Sequence, residues 1–220
     1  MIAKKRSLMQ SKSPEKYVFV HGWSGSPGIW RHLVPHFPKK QTSFVDLGYY
    51  GALSGHEERD EAIYITHSLG TLWTLKHKRP QMKALVVVNG FASFAPFTSH
   101  RVLEAMKRRL QSDPHNQMTE FWLNADATET PPTSVLNIER LSEGLDWLAH
   151  WNEEEAVKAL DVPILVLAGS EDKILPLEKM KAHWQNTPMH IKEEAGHSLP
   201  QTHADWCAEK INEFLDAAKP

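Results

Sequence analysis

Three polar residues, Ser68, Asp172 and His197, each lie just beyond a short strand-like run, and together their types suit acyl transfer. Ser68 stands in IYITHSLGTLW, where strand-forming residues give way to helix-forming ones. Asp172 lies in GSEDKILP after ILVLA, and His197 lies in AGHS after MHIKEE. A serine hydroxyl is a poor nucleophile at neutral pH and needs a neighbouring base, which an acid in turn orients. Ser68 is therefore the candidate nucleophile, His197 the base and Asp172 the orienting acid, with Glu171 a rival acid beside it. Acyl transfer also needs donors for the developing oxyanion. His21-Gly22-Trp23 follows the first strand-like run, so the backbone N–H of Trp23 can pair with that of Leu69, at the start of the helix after Ser68. Each such donor is typically worth about 3 to 4 kcal/mol in the transition state. His21 reads as a hydrogen-bonding residue that shapes this loop. His67, beside the nucleophile, reads as a packing or site-lining residue, because a neighbour in sequence points elsewhere.

These positions need a scaffold, and the pattern supplies one. Residues 17–20, 43–45, 62–66, 84–88, 164–168 and 189–192 read as strands, and 28–37, 69–78, 177–184 and 206–217 as helices. Pro80 stops the second helix, and Asp205 is the expected N-cap of the last. ALVVV, at 84–88, is a continuous apolar run of the kind buried on both faces of a parallel sheet. Strands alternating with helices predict an α/β fold with a parallel sheet between helical layers. The alternation breaks at about 91–150, where 99–111, 116–123 and 137–151 read as helices around the turn-rich ATETPPTS. At 220 residues and 41% hydrophobic, the chain suits one core, so a single domain over 1–220 with a helical cap insertion is expected. Open α/β sheets bind ligands at the C-terminal edge of their strands, which the insertion would cover.

Thr66-His67-Ser68-Leu69-Gly70 matches the G-x-S-x-G nucleophile elbow except that Thr66 replaces the first glycine and adds bulk at the turn. Taken with HGW, GSEDKILP and AGH in the same order, the chain resembles the α/β-hydrolase family over nearly its whole length. That resemblance implies an α/β-hydrolase fold with a Ser, Asp, His order of catalytic residues. The family spacing to Pro176 favours Asp172 over Glu171 as the acid, and Asn89-Gly90 occupies the other place where some members carry it. The short lead before the first strand and the short link from Asp46 to Ala62 imply a sheet trimmed at its leading edge.

Net charge is −2, with 25 basic against 27 acidic residues, so no global field draws the chain to nucleic acid or an anionic membrane. The basic opening, MIAKKRSLMQSKSPEK, reads as a solvated tail without a signal-peptide apolar stretch. The single cysteine, Cys207, reads as a buried small hydrophobe and fits a reducing compartment, so a cytoplasmic location is expected. No HExxH or paired Cys-His spacing is present, so neither a metal nor another cofactor is expected.

In the insertion, SHRVLEAMKRRLQ projects Val102, Leu103, Met106 and Leu110 to one side, and Arg101 and Arg108 to the other with Arg109 at the flank. Such a stripe is either a solvated face or a docking site for an acidic carrier. HGW, SLG, the arginine-bearing cap and LSEGLDWLAHWNEEEAVKALDVPILVLAGSEDKILP also resemble the pimeloyl-acyl-carrier-protein methyl ester esterases of biotin synthesis. This resemblance implies a serine carboxylesterase acting on a carrier-bound acyl methyl ester. Arg101, Arg108 and Arg109, with Lys107 or Arg140, would then grip the acyl carrier protein. Phe91 and Phe121, with Phe94, Phe97 and Trp122, line an acyl channel or form ordinary cap core. A broad small-ester hydrolase or thioesterase, and a non-catalytic ligand receptor of the same shape, are the alternatives.

Overall fold

The computed structural model describes residues 15–50 and 61–217. Most of the basic opening segment and most of the link from Asp46 to Ala62 lie outside these residues. Six strands form one sheet: β1 (Tyr17–Val20), β2 (Thr42–Val45), β3 (Ala62–His67), β4 (Met82–Val88), β5 (Ile164–Gly169) and β6 (Met189–Lys192). Their order is β2-β1-β3-β4-β5-β6, and every pair is parallel. All six strands therefore end on one edge, and the loops leaving β1, β3, β5 and β6 carry His21-Gly22-Trp23, Ser68, Asp172 and His197 to it.

Side-chain alternation divides the core in two. Val18, Val20, Tyr64, Leu85, Val87 and Val166 face one layer, while Phe19, Ile63, Ile65, Val86, Val88 and Leu167 face the other. The period of two follows from the pleat, and because both faces are covered the central strands read as unbroken apolar runs. The first face holds α1 (Leu69–His77) and a helical insertion between β4 and β5: α2 (His100–Ser112), α3 (Pro114–Asn124) and α4 (Ile138–His150). Short α5 (Glu154–Lys158) leads from the insertion into β5, and α6 (Leu177–His183) joins β5 to β6. The second face is covered by Ile29, Trp30, Leu33 and Phe37, and by α8 (Ala204–Ala217), which follows the four-residue α7 (Leu199–Thr202). Helix α1, packed on β1 and β3, is buried from Leu69 to Leu75, and a helix covered on all sides is apolar all round.

The structure departs from the sequence expectations in four places. Residues 28–37 form two 3-10 turns, Pro27–Trp30 and Val34–His36, rather than one α-helix, because prolines at 27 and 35 each open a new turn and Pro35 cannot donate a backbone bond. Helix α8 begins at Ala204, so Asp205 lies in its first turn and bonds His36 Nε2 at 3.1 Å instead of capping. The elements α5 and α7 are too short to leave a periodic signal. On α2, Leu103 and Leu110 are buried and Met106 packs against the core, but Val102 is 48% exposed, on the rim of a cavity.

Leu85, fully buried in β4, makes the central packing testable. Leu85→Ala should lower unfolding free energy by about 2 to 5 kcal/mol, read as a lower urea midpoint at unchanged slope.

Candidate active site

Ser68 has φ 51° and ψ −125°, a backbone conformation that costs a non-glycine residue of order 1 to 3 kcal/mol and persists only where its surroundings enforce it. The enforcing contacts are visible. Its N–H donates to Val88 O, while α1 begins at the next residue. Gly70 brings that helix start against β1: a Cβ there would lie 2.4 Å from Val20 O. Gly22 lets the β1 loop rest on the serine itself, since a Cβ there would lie 2.8 Å from Ser68 Cβ. Thr66, the departure from the elbow pattern, adds no crowding at the turn. Its hydroxyl donates to Val86 O at 2.9 Å and meets Thr71 Oγ1 at 2.8 Å, so its bulk is spent tying β3 to β4 and α1.

Asp172 and His197 form a buried pair, with His197 Nδ1 2.7 Å from Asp172 Oδ2. The second carboxylate oxygen, Oδ1, accepts from the N–H groups of Ile174 and Leu175, both at 2.8 Å. A buried carboxyl group needs this full set of partners. Glu171 is exposed, and it is Asp172 that bonds the His197 ring. With Nδ1 turned to the carboxylate, the ring of His197 keeps Nε2 for other chemistry.

Two residues hold the histidine loop against the elbow. His67 Nε2 donates to His197 O at 3.0 Å, and the two rings lie 4.8 Å apart. Asn89, at the end of β4 with φ 42°, donates from Nδ2 to Gly196 O and His197 O at 3.0 and 2.8 Å and accepts from Gly169 N–H at 2.9 Å. One side chain thus pins the ends of β4 and β5 to the loop after β6. Sequence reasoning saw Asn89 only as a place without an acid; its partners lie 80 to 108 residues away, and its position directly after the apolar β4 run is the sole local signal.

The β1 loop is equally fixed. His21 Nε2 accepts from Leu47 N–H at 2.9 Å, so Nδ1 carries the proton toward Gly22 O, also at 2.9 Å. Trp23 Nε1 donates to Leu141 O of α4 at 2.8 Å, and its ring meets Phe121 of α3 edge to face. Among the described residues neither Trp23 N–H nor Leu69 N–H has an acceptor, so both remain available for an oxyanion.

Beside Ser68 lies a cavity of about 550 Å³ lined by Phe91, Phe94, Phe97, Phe121, Arg101 and Arg109, among others. Arg108 is exposed and outside this lining. Among the cations expected to hold a carrier, several are engaged within the molecule. Lys107 bonds Asp146 at 2.6 Å, Arg109 pairs with Glu120, and Arg140 pairs with Glu143, donates to Leu47 O and stacks on Trp147. Arg101 and Arg108 make no ion pair among the described residues. Among those residues there is also no cluster of metal-ligating side chains, and no helix is long and apolar enough to cross a membrane.

Residues 17–210 match the family model described as "Alpha/beta hydrolase family". The chain belongs to that family. Similar proteins include a pimeloyl-[acyl-carrier protein] methyl ester esterase from Legionella pneumophila (strain Corby), 23% identical over 224 residues, covering 90% of this chain and 94% of that one. A protein of the same name from Sodalis glossinidius (strain morsitans) is 29% identical over 201 residues, covering 72% and 76%. An esterase from Exiguobacterium antarcticum shares the fold, with a TM-score of 0.75 at 15% identity over 93% of this chain and 92% of that one.

Burial holds His67 well below the ordinary imidazole value of 6.5, with the neighbouring His197 acting in the same direction. Its neutral folded form gains no proton where the unfolded chain does, so stability is lost as pH falls below about 6.5. Acid titration of the native protein should show unfolding free energy falling below that pH, and His67→Gln should flatten the slope. Asn89→Ala should cost about 1 to 3 kcal/mol by leaving buried groups unpaired, with faster hydrogen exchange at the Gly169 amide.

Proposed function

We propose that this protein is a serine carboxylesterase, and that its substrate is the methyl ester of an acyl chain carried on acyl carrier protein, most specifically pimeloyl-acyl-carrier-protein methyl ester. The buried Asp172–His197 pair, tied by His67 and Asn89 to the strained Ser68 elbow, carries the proposal. In this mechanism His197 Nε2 takes the Ser68 proton while Oγ attacks the ester carbonyl. Asp172 holds the ring and stabilises the imidazolium. The N–H groups of Trp23 and Leu69 receive the oxyanion. The carbon–oxygen bond to the alcohol then breaks as His197 returns the proton to the departing oxygen. Water, deprotonated by the same ring, attacks the acyl-serine and releases the acid and Ser68. No step calls for a cofactor.

The acyl half fits beside Ser68, where the phenylalanines of the 550 Å³ cavity suit methylene groups and Arg101 stands at its lining. The names of the methyl ester esterases to which the chain is similar support the carrier-bound substrate. The internal pairing of Lys107, Arg109 and Arg140 favours a second reading, a carboxylesterase or thioesterase that needs no carrier, because it leaves Arg101 and Arg108 as the cations for docking. A non-catalytic receptor would keep the cavity but not a reactive serine.

A fluorophosphonate probe should label Ser68, and Ser68→Ala should abolish both labelling and ester hydrolysis. Asp172→Asn should lower kcat by about 10³ to 10⁴; activity within tenfold of the native protein would overturn its assigned role. Arg101→Glu with Arg108→Glu should weaken turnover of the carrier-bound methyl ester at least tenfold more than that of a short p-nitrophenyl ester. Equal effects on the two substrates would select the carrier-independent reading.

A further inference from the structure

One polar side chain in the cavity beside Ser68 has no part in the acyl-transfer steps. Helix α3 turns Gln117, Glu120, Phe121 and Asn124 toward that cavity, at the i, i+3, i+4, i+7 spacing of one helical face. Glu120 pairs with Arg109 of α2, and Asn124 is exposed. Gln117 differs from both: it is only 5% exposed, and among the described residues its side-chain amide has no hydrogen-bond partner. Polar side-chain atoms sealed away without a partner belong, among those residues, to Trp30, Tyr49, His67 and Gln81. The Gln117 amide is not sealed, so it stays open to the cavity it lines. A buried amide without a partner costs stability, and a leucine would fill this position without that cost. The C-terminal end of α3 rests on the catalytic loops: Trp122 Nε1 donates to Ser24 Oγ at 3.2 Å, and Ser198 Oγ, beside His197, donates to Ala125 O at 2.8 Å. Gln117 lies about two helical turns, roughly 11 Å, back along the axis from that tie. Its amide therefore meets a bound acyl chain well away from the reacting ester.

Resting on the serine-esterase reading, we propose that Gln117 is a specificity-determining residue whose amide N–H donates to an uncharged carbonyl group in the distal half of the acyl chain. The substrate class then narrows to half-esters of dicarboxylic acids whose far carboxyl is engaged as an amide or thioester, with or without a carrier. Phe91, Phe94 and Phe97 take the methylenes in between. A free carboxylate does not suit the same place, because a buried charge needs a buried partner of opposite sign. Arg101 and Lys173 are exposed, Arg109 is committed to Glu120, and the Glu120 carboxylate shares the cavity-facing side of α3 with Gln117. A plain alkyl end would leave the amide unpaired. Sites built to hydrogen-bond a substrate group reject the analogue lacking it far more strongly than an apolar pocket rejects a misfit in size.

The test uses the full chain and three methyl esters of equal chain length, whose far ends are an N-methylamide, a plain alkyl group and a carboxylate. All three share the ester group and its adjoining methylenes, so their intrinsic reactivity is matched. Gln117→Leu and Gln117→Met, apolar replacements of similar size, should each lower the amide-to-alkyl ratio of kcat/KM at least tenfold, while turnover of the alkyl ester holds or rises. Because the Gln117 amide is unpartnered in the free protein, both variants should unfold at a urea midpoint no lower than the native one. A merely structural role would lower it. The native protein should turn over the amide ester at least fivefold faster than the carboxylate ester. An unchanged amide-to-alkyl ratio in both variants, a lower midpoint with equal loss on every ester, or a lead for the carboxylate ester overturns the role of Gln117 while leaving the esterase reading intact. If no ester is hydrolysed and Ser68 resists the fluorophosphonate probe, the esterase reading falls and the role of Gln117 with it.

Discussion

A carboxyl group buried against an imidazole is the constraint on which this site turns. Asp172 is removed from water, and that burial is tolerable only because each of its oxygens is met, one by His197 Nδ1 and the other by two backbone N–H groups of its own loop. The loop after β5 must therefore wrap back on itself, and the loop after β6 must arrive beside it. Asn89 makes that arrival definite, since its amide bonds both the β6 loop and the end of β5. Loss of one partner in such a network leaves others unpaired, so the parts stand or fall together.

The same economy governs the other side of the site. The β1 loop is held from below by His21 and Leu47 and from above by Trp23, whose indole reaches a carbonyl of α4. The helical insertion thereby fixes the position of the Trp23 backbone N–H as well as lining the cavity beside Ser68. A shift of α4 relative to the sheet would carry Trp23 with it, which links cavity shape to the position of that N–H.

Much of this was legible in the chain, for identifiable reasons. The strands were readable because both faces of the sheet are covered, so ALVVV and ILVLA stand out as apolar runs bounded by turn residues. The elbow was readable because a strand, a serine and a helix start meet within a few residues. What escaped depended on distant partners or fine local balance. Residues 28–37 carry apolar residues at helical spacing, but Pro27 and Pro35 divide them into 3-10 turns. Asn89's bonds and the contact of Trp23 with Phe121 leave no periodic trace, because each exists only after segments far apart in the chain have met. The cations of the insertion could be counted in the sequence, but their internal pairing with Asp146, Glu120 and Glu143 could not.

The wholly parallel sheet also dictates when these parts can exist. Among the described residues no hairpin joins neighbouring strands, so each strand pairing closes a long loop, and such topologies gain their contacts late and fold slowly. The edge strand β6 and the loop after it follow the other five strands in the chain, yet they supply His197 and the carbonyl groups that Asn89 holds. Until β6 and its loop have been made, Asn89 has neither of the carbonyl groups it holds, and Asp172 lacks the imidazole it faces.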